Sequence, residues 1–146
     1  MTIQTIQLGE TAIDIPTSLD WRDDEGTLVA YLPGTDFANL RFTLLSIRER
    51  SGDLVPRGGL RAVMNRCIES KGTLKKSGET VWFYWAEPAS EGSEGSLMHY
   101  WYAGLDAHML IISCFVDAEM KQSEDADIVL SSVERTIGSF RKYPAP

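Results

Sequence analysis

Apolar and polar residues alternate through most of this chain, and a helical spacing replaces the alternation in two stretches. Successive strand side chains point to opposite faces, whereas a helix returns to one face every three to four residues, so the two periods separate the elements. Ile3 to Leu8 and Ala12-Ile13-Asp14-Ile15-Pro16 predict two short opening strands, the second stopped by its proline. Asp20-Trp21-Arg22-Asp23-Asp24-Glu25-Gly26 reads as an acidic turn, followed by a strand from Thr27 to Leu32. Asn39 to Arg48 alternates Leu40, Phe42 and Leu44 with Arg41, Thr43 and Leu45, which predicts a long central strand. After Pro56-Arg57-Gly58-Gly59, residues Leu60, Val63, Met64, Cys67 and Ile68 fall on one helical face that ends near Lys71-Gly72.

Strands follow at Leu74 to Ser77 and Thr80 to Glu87, then a mobile polar loop from Pro88 to Gly95 and a strand from Ser96 to Ala103. The apolar run His108 to Val116 is too short for a buried helix and reads as a central strand. From Ser123 to Phe140 the chain turns helical again, with Ser123 as N-cap, acids in the first turn, and Ala126, Val129 or Leu130, Val133 and Ile137 as the buried stripe. The order of strands, helix, four strands, helix predicts an α+β fold: an α/β/α sandwich with an antiparallel sheet of about six to eight strands and two main helices.

Three of the four tryptophans lie on one predicted hairpin, Val81-Trp82-Phe83-Tyr84-Trp85 against Leu97-Met98-His99-Tyr100-Trp101-Tyr102. Alternation places rings on both faces of that hairpin. One set belongs to the core; the other lies under the second helix or forms a binding face, and large exposed apolar patches are uncommon on soluble monomers. The candidate ring anchors are Trp82, Tyr84, Tyr100 and Tyr102.

At 146 residues the chain suits one domain across 1–146, and 43% hydrophobic residues suffice for a core. Fourteen Lys plus Arg against 21 Asp plus Glu give a formal charge of -7. That balance repels phosphate backbones and anionic membranes, so nucleic acid is disfavoured and a basic protein surface is attracted. No apolar run approaches the length of a membrane span, and the first residues lack a basic and apolar leader pattern. The expectation is a soluble, cytoplasmic protein without membrane insertion.

The chemical inventory is thin. Nucleophilic catalysis needs a base and an orienting group beside the nucleophile, and only His99 and His108 supply an imidazole. Cys67 and Cys114 fall in an apolar helical stripe and an apolar strand, and read as buried free thiols. Neither pair has zinc-site spacing, so no metal, cofactor or catalytic residue is assigned. Asp20, Asp23, Asp24 and Glu25 form the densest carboxylate cluster without the alternating ligands and distal Glu of a calcium loop. They read as a solvated acidic turn or as a trap for Lys and Arg on a partner, and Trp21 among them as an interface anchor or a core side chain. Gly58-Gly59 lacks the spacing and Lys of a phosphate loop and reads as a helix entry.

The opening Ile13-Asp14-Ile15-Pro16 into Trp21-Arg22-Asp23, the strand Asn39-Leu40-Arg41-Phe42-Thr43, and the close Phe115-Val116-Asp117 with Ser131-Ser132-Val133 to Ser139-Phe140 resemble the PsbP-like α/β/α sandwich family. The similarity spans nearly the whole chain. That fold is shared by photosystem accessory proteins, a release factor of the small GTPase Ran and chaperones of type VI secretion effectors, and the resemblance implies protein binding rather than catalysis. The leading expectation is a non-catalytic binding protein, an immunity protein that neutralises a delivered toxin by occlusion, with Asp20, Trp21, Asp23, Asp24, Glu25, Trp82, Tyr84, Tyr100 and Tyr102 at the partner surface. One alternative is an effector chaperone that binds apolar segments, with a homodimer as its natural form. Another is a small enzyme or ligand-binding domain using His99 or His108.

Overall fold

The computed structural model describes residues 2–34 and 38–145. Strands β1 (Ile3–Leu8), β2 (Thr11–Pro16), β3 (Asp20–Asp24), β4 (Thr27–Tyr31) and β5 (Leu40–Ser46) precede helix α1 (Gly58–Glu69). Then come β6 (Lys75–Ser77), β7 (Thr80–Pro88), β8 (Leu97–Leu105), β9 (His108–Val116), helices α2 (Glu124–Ser131) and α3 (Val133–Ser139), and β10 (Arg141–Lys142). Seven strands form one sheet in the order β3-β4-β5-β9-β8-β7-β6, every pair antiparallel, and β1-β2-β10 form a second sheet of three. The α+β sandwich is therefore as read, with the opening strands in a small sheet of their own.

Register fixes which side chains share a face. Leu28, Phe42, Ile112 and Trp101 align across four neighbouring strands. They meet Ile6, Ile13 and Ile15 of the small sheet and Ala126, Val129, Val133 and Ile137 of α2 and α3 in the larger core. The opposite face meets α1, where Val63, Cys67, Phe83 and Tyr102 form a second, smaller core. β9 is the middle strand of the seven, which is why its apolar run has no polar face to give to water.

The expected closing helix is interrupted at Ser132, whose hydroxyl donates to the Val129 carbonyl at 2.7 Å and offers the backbone a competing partner. Ser123 caps α2 by accepting from the Ala126 amide at 3.1 Å.

Helix α1 is seated by an unusually close approach of backbones. A Cβ at Gly59 would lie 2.0 Å from the His108 carbonyl oxygen, and one at Gly104 would lie 2.8 Å from the Gly59 oxygen. This seat rotates the helix so that Val63 and Cys67 point inward while Met64 and Ile68, expected in the buried stripe, are 42% and 74% exposed.

The turn between β8 and β9 caps the same helix. The Asp106 carbonyl accepts from the Gly59 and Leu60 amides at 2.9 and 3.1 Å, and its carboxylate accepts from the Arg57 amide at 2.9 Å and pairs with Lys142 at 2.5 Å. The Lys142 ammonium and the Arg57 amide hold the Asp106 carboxyl below the usual carboxylate range. A depressed acid stabilises the fold above its unfolded value and loses that contribution as the pH falls through its folded value. Asp106→Asn is expected to lower the urea midpoint at neutral pH, and the gap to the parent chain should close below about pH 4. A gap as wide in strong acid as at neutrality would rule this linkage out.

Candidate functional site

The aromatic hairpin pairs Trp82 with Ala103, Phe83 with Tyr102, Tyr84 with Trp101 and Trp85 with Tyr100. Trp82 and Trp101 enter the larger core, while Phe83 and Tyr102 stack under α1 with centroids 5.2 Å apart. Trp82 also donates its indole N–H to Ser77 at 3.1 Å and lies under the Lys75 ammonium. Two of the four expected ring anchors, Trp82 and Tyr102, are thus core side chains, each 4% exposed. The other two are reachable but lie on opposite faces: Tyr84 is exposed beside Trp101, and Tyr100 is half-buried beside Trp85. No single aromatic face contains the expected set.

Both histidines are hydrogen-bonded, His108 buried and His99 half-buried. The Tyr84 hydroxyl lies 2.7 Å from His99 Nδ1, and burial lowers the His99 pKa and raises that of Tyr84, which favours the neutral form of each. His108 is buried, with Nδ1 2.8 Å from the Ser46 hydroxyl, and burial again lowers its pKa. Cys67 and Cys114 are free and buried, and burial pushes the Cys114 thiol up to about 12, far from the reactive thiolate. No cluster of three His, Cys, Asp or Glu side chains suited to a metal ion occurs among the described residues.

The acidic segment differs from its reading as a turn. Asp20 to Asp24 forms edge strand β3, and only Glu25-Gly26 makes the turn into β4. An edge strand with both faces in water tolerates charge and is protected by it from pairing with other chains. Every β3 residue is exposed, and Trp21 is 44% exposed, so it is a surface side chain and not a core one. Trp21 and Asp23 line a cavity of about 370 Å³ with Thr5, Gln7 and Leu8 of β1. On the other face Arg22 stacks 5.3 Å from the Tyr31 ring, and Asp24 lies 3.7 Å from Arg41. The structure thereby brings Asp20, Trp21, Asp23, Asp24 and Glu25 together on one exposed hairpin.

Neither a family model nor a curated protein matches the chain. Among solved structures, a crystal structure from Bacteroides thetaiotaomicron VPI-5482 is similar with a TM-score of 0.66 at 19% identity, covering 91% of this chain. This chain spans 45% of that protein's length. The solution structure of cyanobacterial PsbP (CyanoP) from Synechocystis sp. PCC 6803 is similar with a TM-score of 0.56 at 12% identity, over 97% of this chain and 93% of that one. The fold is PsbP-like. At these identities the likeness reaches architecture and leaves function to the side chains.

Within this PsbP-like fold the acidic hairpin occupies one edge of the large sheet, and the Tyr100 face begins four strand spacings away, roughly 19 Å across the sheet. Sequence reading passed over Glu87, Glu91, Met98 and Phe115, which gather around Tyr100. A signal was present in the alternation, since Met98 and Tyr100 share a face, but only the pairing of β7 and β9 adds Glu87 and Phe115 to it. Among the described residues no helix is long and apolar enough to cross a membrane.

Proposed function

We propose that the protein is a non-catalytic, cytoplasmic protein-binding module, an immunity protein that occludes a delivered bacterial toxin by docking through the β3–β4 hairpin. The observation that carries this reading is Trp21: a large ring 44% exposed on an edge strand, with Asp23 on its own face and Asp20, Asp24 and Glu25 elsewhere on the same exposed hairpin. Tryptophan combines apolar area with an N–H donor and is enriched among the few residues that dominate binding energy. The surrounding carboxylates, together with a chain charge of -7, accelerate encounter with a basic surface and reject acidic ones. The neutral, bonded histidines and the buried thiols favour binding over turnover.

Photo-crosslinking from position 21 in the source cell should give one discrete adduct. Calorimetry with the purified partner should then show Trp21→Ala weakening the complex by about 30-fold, close to 2 kcal/mol. Replacing Asp20, Asp23 and Asp24 with Asn should slow association most at low salt. Unchanged affinity in both variants, or no adduct at position 21, would remove the hairpin from the interface.

A second reading, an effector chaperone, is favoured by Met64 and Ile68, one turn apart on α1 and both exposed. It requires binding of an isolated apolar effector segment, which an occluding inhibitor of a folded toxin does not show.

A further inference from the structure

Past the α1 core, the same face of the sheet ends in a second, differently built recess. Glu87, Met98 and Phe115 form one row across β7, β8 and β9, and Trp85, Tyr100 and Ser113 form the next. Residues Pro88 to Glu91 wall this row into a cavity of about 360 Å³ with Glu87, Met98, Tyr100 and Phe115. That volume falls within the usual range for a specific small-group site.

The wall is tied down, in contrast to the mobile loop expected from its sequence. Ala89 donates to the Ser96 carbonyl at 2.9 Å, the Ser93 hydroxyl donates to Asp117 at 2.7 Å, and the Ser96 hydroxyl accepts from the Ala118 amide at 3.0 Å. Gly92 packs so closely that a Cβ there would lie 2.8 Å from the Phe115 ring and 3.1 Å from the Asp117 carboxylate. The recess is therefore formed before any partner arrives.

Its chemistry is specific. The floor supplies a thioether and two rings, and the rim supplies the carboxylates of Glu87 and Glu91. Burial, with the Glu87 carboxylate nearby, raises the Tyr100 phenol's pKa, so the ring beside that carboxylate is favoured in its neutral form. Tyr100 also belongs to a ladder, 5.6 Å from Trp85 and 6.2 Å from Tyr102, and the far end of that ladder already carries a guanidinium, Arg66, 4.8 Å from the Tyr102 centroid.

We propose that this recess is a binding site for an arginine side chain presented by a partner protein. The guanidinium is planar and weakly hydrated, so it settles on ring and thioether surface while its fork of N–H donors reaches the Glu87 and Glu91 carboxylates. An ammonium is more strongly hydrated and gains less from the same floor. The site lies on separate residues from the hairpin and does not depend on the hairpin reading.

The test is an NMR titration of the full chain with acetyl-Gly-Arg-Gly-amide, and with matched peptides carrying lysine or the neutral isostere citrulline. Saturable shifts of the Met98 methyl and of the Glu91 and Phe115 amides are expected with the arginine peptide, with binding about tenfold weaker for either matched peptide. Glu87→Gln keeps the side chain's size and a carbonyl acceptor but removes the charge, and should weaken the arginine peptide by about tenfold at unchanged melting temperature. Trp21→Ala should leave the titration unaltered, so loss of one site is distinguishable from loss of the other. Equal binding of the citrulline or lysine peptide, no saturable shift at Met98, or an unaffected Glu87→Gln titration would overturn the assignment.

Discussion

Gly59→Ala is expected to destabilise the protein by about 3 kcal/mol or more, although alanine is the better helix former by about 1 kcal/mol. The added methyl would sit 2.0 Å from the carbonyl oxygen and 2.6 Å from the nitrogen of His108, both backbone atoms of the central strand. Relief requires lifting α1 off the sheet, which also stretches the bonds from the Gly59 and Leu60 amides to Asp106. Gly138 is the comparator, since nothing lies within 4 Å of a Cβ there. Urea denaturation of the two alanine variants should give opposite signs, and a Gly59→Ala chain as stable as its parent would mean that the helix does not rest on β9.

The second large effect is expected from Phe83→Ala, at about 3 to 5 kcal/mol. Phe83 is fully buried, stacks on Tyr102, and shares a small core of four buried side chains with Tyr102, Val63 and Cys67 among the described residues. The larger core on the other face has many more buried side chains and can redistribute a loss, whereas in the α1 core this ring is one of four among the described residues. Hydrogen exchange should show α1 amides losing protection before those of β9. A loss under about 1 kcal/mol would indicate that α1 draws its stability from elsewhere.

Both sites show what alternation does and does not carry. Trp82 and Phe83 were legible as opposite in facing, because period two is a property of one strand. Which face each ring shares with β8 depends on register, and Phe83 opposite Tyr102 is set by the length of the 88–96 connection, which no propensity encodes. Trp82 and Tyr102 therefore looked available from sequence and are buried in the fold.

Helix α1 followed its apolar spacing into existence but not into orientation. Five apolar side chains mark a stripe wider than the contact, and the Gly59 seat selects the Val63 and Cys67 side of it. At Asp20 to Asp24 the misreading was chemical: acids and a nearby glycine signal a turn, yet an outermost strand welcomes charge because neither face needs to be dry. Trp21, which its sequence context left between core and anchor, is exposed because its strand is the outermost one and its neighbours are all in water. The Tyr100 recess was hidden because its walls come from three strands and a loop.

The smaller sheet also constrains when the molecule can be finished. β10 joins β2 through Arg141 opposite Ala12 and Lys142 opposite Thr11, and the Tyr143 amide reaches the Glu10 carbonyl at 2.8 Å. The β1–β2 hairpin precedes α3 and β10 by more than a hundred residues, so Ile13 and Ile15 lack the cover of Val133 and Ile137 until that later segment has been made. Closing so long a segment makes this seam a late event, leaving the β2 face sticky until the closing strand arrives.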